Sequence, residues 1–342
     1  MAGWTWGHSL MPDPILSVED LKVSFPVLGG VLLRRIGEVK AVDGVSFDLG
    51  AGETVGLVGE SGCGKSTVGR AIVNILRALS YGVEISGRVV YRGRGEPVNL
   101  LELSRSQMRP YRADIQMIFQ DPYSSLNPRM TVGQIVEEPL TIHGDLPAAE
   151  RKAEVGRLLQ RVGLGAEQAG RYPHEFSGGQ RQRIGIERAL STRPKVVVAD
   201  EPVSALDVSI QAQVINLMQD LQEEFGLSYV FIAHDLSVVR HISDRIAVMY
   251  LGNIAEVGPA EQVYTDPRHP YSRALLSAVP RADPVHAKER HRIRLHGDIP
   301  TPIHKPSGCG FRTRCPIARE SCAAEVPPLE PKGERLVACP WV

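Results

Sequence analysis

The sequence predicts an α/β fold, a mostly parallel sheet with helices over both faces. Three observations carry that expectation. Short runs at 54–58, 195–199 and 229–233 are apolar at nearly every position, the pattern of strands buried on both sides. Between them lie apolar stripes spaced three or four residues apart, the period of a helix packed by one face. The first run also passes through a glycine-rich segment directly into such a stripe, and strand–helix alternation of this kind implies parallel pairing.

Taken in order, residues 1–14 form an N-terminal extension; Trp4 and Trp6 show no period, and either Met1 or Met11 serves as the start. Ile15–Phe25 and Val39–Leu49 alternate loosely as two strands, separated by Gly29–Gly37. Thr54–Val58 is a buried strand, and Val68, Ile72, Ile75, Leu76 and Leu79 predict one helix after it. The stretch 130–190 reads as helical, with Val155, Leu158, Leu159 and Val162 on one face and a second helix following Gly179. Lys195–Ala199 is a strand; Ile210, Val214, Leu217, Met218 and Leu221 stripe a helix; Tyr229–Ala233 is a further strand. Arg245–Gly258 predicts a hairpin turning on Gly252-Asn253, with glycine first.

Composition narrows the function classes. The 342 residues amount to about two domains. Lys+Arg and Asp+Glu both number 39, and a protein that coats phosphates of nucleic acid would carry a basic excess. No apolar run reaches the roughly 18–20 residues of a membrane span. Met1–Leu16 lacks a basic segment followed by an apolar one, so the expectation is a cytosolic chain without a secretory signal. Four of the five cysteines and about half of the 25 prolines lie beyond residue 258, which separates a body from a loop-rich tail.

The segment Gly59-Glu60-Ser61-Gly62-Cys63-Gly64-Lys65-Ser66-Thr67 fits G-x-x-x-x-G-K-[ST], with a strand before it and a helix after it. Glycines let several N–H groups converge on one anion, and the helix N-terminus adds about half a positive charge. Lys65 supplies a full charge, worth about 4 kcal/mol per unit pair at ~4 Å and an effective dielectric of ~20. Ser66 offers an oxygen to Mg²⁺. Downstream, Val196–Ala199 ends in Asp200-Glu201, which delivers two carboxylates to the edge of the sheet where α/β folds bind ligands. Asp200 is the expected holder of Mg²⁺ through its water shell, and Glu201 the group that polarises the attacking water.

Between these two motifs, Glu175-Phe176-Ser177-Gly178-Gly179-Gln180-Arg181-Gln182-Arg183 resembles the signature of ABC ATPases. Gln120 in Met117–Pro122 resembles that family's Q-loop, Ser204-Ala205-Leu206-Asp207 its D-loop, and His234 its switch histidine, all in family order over about 15–260. The resemblance implies an N-terminal antiparallel β subdomain, a helical subdomain at about 125–190, and two cassettes that sandwich two ATPs head to tail. Ser177, Gly178, Gly179 and Gln180 would then act on the partner's ATP. It also implies that Gln120 contacts metal and water and senses the membrane subunit, that His234 orients the water, and that an aromatic residue stacks on adenine. Phe25 stands where that aromatic is expected; a plain core phenylalanine is the other reading.

Phe119–Met130, Glu201–Leu217 and His269-Pro270-Tyr271-Ser272-Arg273-Ala274-Leu275-Leu276 resemble the ATP-binding subunits of dipeptide/oligopeptide importers, and Val239–Ser243 favours the F-type subunit. Departures are small: Ala199, and Pro340-Trp341-Val342 after the last cysteine, where relatives usually have a histidine. The implied partners are a D-type ATPase subunit, two transmembrane permeases and an extracytoplasmic peptide-binding protein, with no nucleic acid. The implied location is peripheral, on the cytoplasmic face of the membrane. A nickel or other small-solute importer of the same subfamily is the nearest alternative; a soluble ABC ATPase acting on DNA or ribosomes is the more distant one.

Within the 261–342 extension, Cys309, Cys315, Cys322 and Cys339 are separated by five, six and sixteen residues. Cytosolic thiols stay reduced, and four thiolates suit either an iron–sulfur cubane or structural zinc. No tight C-x₂₋₄-C pair is present, and Pro316 and Pro340 follow two of the cysteines. The resemblance implies a [4Fe–4S] cluster; Zn²⁺ and unliganded thiols are the other readings, and His296 and His304 read as solvated side chains ahead of substitute ligands. Cys63 fills space in the phosphate loop; the expectation is that maleimide there blocks hydrolysis and that ATP protects.

Overall fold

The computed structural model describes residues 13–29, 34–144, 146–279, 293–295 and 297–342. The tryptophans at 4 and 6, Met11 and His296 lie outside the described residues. Twelve strands are described: β1 Leu16–Gly29, β2 Arg34–Leu49, β3 Thr54–Val58, β4 Glu84–Tyr91, β5 Val98–Asn99, β6 Ile115–Ile118, β7 Val196–Asp200, β8 Ser228–Ile232, β9 Arg245–Tyr250, β10 Asn253–Pro259, β11 Glu330–Lys332 and β12 Arg335–Val337.

They form two sheets. β2-β1-β4-β5 is an antiparallel sheet, and β11-β12-β10-β9-β3-β8-β7-β6 is the main sheet. In the main sheet β9, β3, β8, β7 and β6 run parallel, whereas β10, β12 and β11 continue it antiparallel. The apolar runs are explained by two-sided burial. Val196, Val198, Val230 and Ile232 point to one core, with Val68, Ile72 and the inner face of the antiparallel sheet. Val197, Ala199, Tyr229 and Phe231 point to the other, with Val214, Met218 and Leu221 of the helix Val208–Phe225. Neighbouring residues of one strand thus feed opposite cores, as a period of two requires. A third core, including Val132, Leu158, Leu159, Phe176 and Ile184, holds the helices Val132–His143, Ala148–Arg161 and Gly178–Leu190 together.

Three local expectations are corrected. The stripe from Val68 to Leu79 is two helices, Lys65–Ile72 and Leu76–Leu79, because Asn74 takes φ 51° and its amide donates to the Leu100 carbonyl at 2.7 Å. The hairpin turns on Leu251-Gly252 rather than Gly252-Asn253: Asn253 pairs with Tyr250, and both central residues have positive φ (43° and 80°), the mirror-image turn that matches strand twist. The described residues of the Gly29–Gly37 separator are strand, since β1 runs to Gly29 and β2 starts at Arg34, with Gly29 paired to Arg34.

Among the described residues no helix is long and apolar enough to cross a membrane.

Candidate active site

Four parallel strands deliver their carboxyl ends to one edge of the main sheet. β3 leads into Gly59–Thr67, β6 toward Gln120, β7 into Asp200-Glu201 and β8 toward His234. That edge is where an open α/β sheet presents loops to a ligand.

The glycine loop is shaped by close backbone contacts. Gly64 caps the helix Lys65–Ile72 at φ 105°, and a Cβ there would lie 2.2 Å from the Ala41 carbonyl oxygen. A Cβ at Gly59 would lie 2.2 Å from the carbonyl oxygen of Met249. Only glycine fits either place. Lys65 is buried, and its Nζ donates to the carbonyls of Gly59 at 2.8 Å and Glu60 at 3.1 Å. Ser61 and Gly62 are exposed at the mouth of the loop, while Ser66 and Thr67 are half-buried at the helix start.

Ser66 Oγ donates to Asp200 Oδ1 at 2.7 Å. Asp200 is almost fully buried, which pushes its carboxyl above the usual range against the pull of the Ser66 hydroxyl and of Arg70. Its Oδ2 has no hydrogen-bond donor, and the Arg70 guanidinium stands 3.9 Å away. A buried carboxylate oxygen without a donor, next to a serine hydroxyl, fits a hydrated divalent cation. Nothing in its helical position marks Arg70 in the sequence.

Glu201 is held by both of its neighbours on the edge. Gln120 Nε2 donates to Glu201 Oε2 at 3.0 Å, and His234 Nδ1 lies 3.4 Å from the same oxygen. Glu201 takes φ 47°, left-handed for a non-glycine residue, while its N–H donates to the Ile232 carbonyl of β8 at 2.9 Å. Strain of this kind, about 1–3 kcal/mol, persists where the surroundings over-determine the backbone. The structure therefore brings together Gln120, Glu201 and His234, and separately Lys65, Ser66 and Asp200.

The signature residues make different contacts. Ser177 is the N-cap of Gly178–Leu190; its Oγ accepts from the Gln180 N–H at 3.3 Å and Gln180 Oε1 accepts from the Ser177 N–H at 3.0 Å. Ser177 and Gly178 are exposed, and a Cβ at Gly179 would meet Ile210 at 2.6 Å, just beyond the Asp207 turn. Asp207 caps the next helix through the Ile210 N–H at 3.0 Å and accepts from Ser209 Oγ at 2.6 Å, which holds its carboxyl below the usual range. Phe25 is partly buried, paired with Val39 and packed on the core of the antiparallel sheet.

A family profile described as "ABC transporter" matches residues 42–204, and one described as "Oligopeptide/dipeptide transporter, C-terminal region" matches 255–322. The oligopeptide transport ATP-binding protein AppF of Bacillus subtilis is 51% identical over 329 residues, 96% of this chain and 97% of that protein. OppF of Escherichia coli is 52% identical over 328 residues, 95% of each. The chain belongs to the ATP-binding subunits of the oligopeptide/dipeptide ABC transporter family. DppF of Pseudomonas aeruginosa, a di/tripeptide transport ATP-binding protein, is similar at 50% over 327 residues, 96% of this chain and 97% of the relative. Among solved structures, cbiO1 of Clostridium perfringens, part of an ABC transporter complex, aligns at TM-score 0.60 and 27% identity over 75% of this chain and 92% of its own. An ATP-binding cassette solved as a dimer in a post-hydrolysis state with ADP and phosphate gives TM-score 0.60 and 27% identity over 72% of this chain and 98% of that one.

In this family member, Cys63 is 3% exposed, and burial pushes its thiol up despite the Lys65 ammonium 3.8 Å away. Ready alkylation of Cys63 is therefore not expected, because the thiolate is the reactive form. Cys309, Cys315, Cys322 and Cys339 line one pocket with His269, Phe311 and Trp341. Burial and the neighbouring cysteines raise the thiols of Cys309, Cys315 and Cys339. Among the described residues, no three His, Cys, Asp or Glu are arranged to hold a single metal ion. The histidine on that pocket is His269. It is buried, pushed down to about 4 by desolvation, and its Nδ1 accepts from the Tyr271 N–H at 3.1 Å; His304 is exposed and not on the pocket wall.

Proposed function

We propose that the chain binds Mg-ATP on Gly59–Thr67, hydrolyses it at Glu201, and so energises peptide import as the F-type ATPase of a membrane transporter. The carrying observation is the single carboxylate oxygen of Glu201 that Gln120 and His234 both approach beside the glycine loop. Phosphoryl transfer to water needs little beyond position and charge stabilisation. In this reading the N–H groups of the loop and Lys65 cradle the β- and γ-phosphates, while Ser66, Gln120 and Asp200 would hold a hydrated Mg²⁺ that would neutralise phosphate charge. Glu201 accepts the hydrogen of the water that attacks the γ-phosphorus. The bond from that phosphorus to the bridging oxygen breaks, and ADP leaves with the negative charge. His234 orients the water and the γ-phosphate, and Phe25 is the proposed adenine platform.

The exposed Ser177-Gly178 helix start suits a γ-phosphate presented by a second cassette, since it carries free N–H groups and a hydroxyl. We take that second cassette to be a D-type subunit, with two permeases and an extracytoplasmic peptide-binding protein completing the transporter on the cytoplasmic face. The family names of AppF, OppF and DppF favour peptides over nickel as the solute. Glu201→Gln tests the reading: the variant should retain ATP and turn it over at least ~100-fold more slowly, as removal of a positioned base costs. Near-normal hydrolysis by the assembled complex would remove Glu201 from this role.

For the tail, the reading is a [4Fe–4S] cluster on Cys309, Cys315, Cys322 and Cys339. Four thiols facing one largely apolar pocket support it. Zn²⁺ is the second reading, and the lack of a tight C-x₂₋₄-C pair disfavours it. The cluster would supply cross-linking of the tail rather than chemistry.

A further inference from the structure

The second residue of the phosphate loop, Glu60, is a carboxylate in a cradle shaped for an anion. Residues from beyond position 260 hold it. Arg314 Nη1 donates to its two oxygens at 3.0 and 3.3 Å, and the Glu60 N–H donates to the Tyr271 hydroxyl at 2.9 Å. Both partners are buried: the Arg314 side chain is 8% exposed and Tyr271 is 0%. They are fixed in turn by an aromatic cluster in which Tyr250, Tyr271 and Phe311 pack with centroids 4.6, 5.2 and 5.4 Å apart. The Arg314 N–H donates to the Phe311 carbonyl at 3.0 Å. The tail reaches the loop by a second route as well. Lys305 donates to Asp43 at 2.8 Å and to Asn253, and the neighbouring Gly252 N–H donates to the Cys63 carbonyl at 2.9 Å.

We propose that Arg314 is a positioning residue for nucleotide binding: by pairing with Glu60 it keeps an uncompensated negative charge out of the ATP cradle, while Tyr271 fixes the Glu60 backbone. This rests on the reading of Gly59–Thr67 as the ATP site. A carboxylate with both oxygens on a buried guanidinium is held in one orientation and contributes no net charge. Released, it faces the polyphosphate as a like charge within a site of reduced dielectric. Arg314 touches no phosphate in this scheme; it acts through Glu60.

The test measures Mg-ATP dissociation constants on the full chain, and KM and kcat on the assembled transporter. Arg314→Met should weaken Mg-ATP binding about tenfold and raise KM to match, with kcat within about twofold, as expected for loss of a buried charge partner. Arg314→Lys should recover most of the affinity. The double variant Glu60→Gln/Arg314→Met should bind within about twofold of wild type, because no charge is left unpaired. Tyr271→Phe, which removes one oxygen from a packed ring, should weaken binding about threefold. Unfolding midpoints confirm that each variant is folded; if Arg314→Met is not, Arg314→Lys and Tyr271→Phe decide, and weak binding in the first or wild-type affinity in the second overturns the proposal. Wild-type affinity in a folded Arg314→Met, or a double variant as weak as the single, overturns it too. A wild-type chain that fails to bind Mg-ATP overturns the cradle reading itself, and this proposal with it.

Discussion

At the scale of single residues, the active edge spends its buried charges unevenly. Asp200 and Lys65 are buried and partnered by a hydroxyl and by carbonyls, while Glu201 keeps one oxygen open to two neighbouring side chains. A third buried charge lies away from that edge. Glu187, on the signature helix, is fully buried; Arg161 stands 3.5 Å from one oxygen, and the other oxygen has no donor. Burial, helped by Glu224 and Glu154 and opposed by Arg161, raises its carboxyl from 4.5 to about 7. Between those two values the folded chain binds a proton that the unfolded chain has released. Glu187 therefore removes stability as pH rises from about 4.5 to about 7, and its contribution is constant above that. Glu187→Gln, which cannot ionise, should gain on wild type across that window, by up to about 3 kcal/mol at pH 8 relative to pH 4. Urea unfolding of both chains at the two pH values measures it, and an equal gap at both would refute the assignment.

At the scale of elements, the residue that caps the helix Gly178–Leu190 has an observed duty and a proposed one. Ser177 closes a capping box with Gln180, and the same hydroxyl is the proposed donor to a partner's ATP. The duties separate by substitution. Ser177→Ala should lose about 1 kcal/mol of stability, whereas Ser177→Gly loses only about a few tenths. Hydrolysis by the assembled complex should fall by a similar factor, about tenfold or more, in both. If activity instead tracks stability across the pair, the hydroxyl only caps the helix. Elements also explain what was legible in the sequence. The phosphate loop, the Asp200-Glu201 strand end and the signature are contiguous, and each is dictated by local geometry, so residue types and spacing reveal them. The break at Asn74 was hidden because the apolar period continues across it; only the Leu100 carbonyl that captures its amide ends the helix. The hairpin was visible but its turn was off by one residue, since Leu251 adopts a φ that its type rarely takes. Contacts between distant residues are legible only through motifs: the resemblance brings Gln120 and Glu201, 81 positions apart, to one water, whereas Glu60 and Arg314, 254 apart, leave no trace.

At the scale of the whole molecule, the tail is built into the catalytic body. Its hairpin β11–β12 extends the main sheet, with Glu256 of β10 paired to Val337 and Val257 to Leu336. Glu256 is fully buried and accepts from the Arg268 and His269 N–H groups, with Arg335 at 3.6 Å. These ties hold the two sides of the cysteine pocket, yet between Cys309 and Ala324 the chain has one short 3₁₀ turn, Glu320–Ala323, and no strand. A segment with so little regular structure and few large apolar residues gains stability from a cross-link that closes its loops. The proposed cluster would do this for the segment that carries Phe311 and Arg314. Protein purified without oxygen should therefore be brown and carry about four Fe per chain. Cys315→Ser should lower both iron and the unfolding midpoint, measured by metal analysis and calorimetry on the same samples. One zinc per chain and no colour would transfer the pocket to a single ion. A metal-free chain with an unchanged midpoint in Cys315→Ser would leave the pocket as packed thiols and withdraw the cross-link.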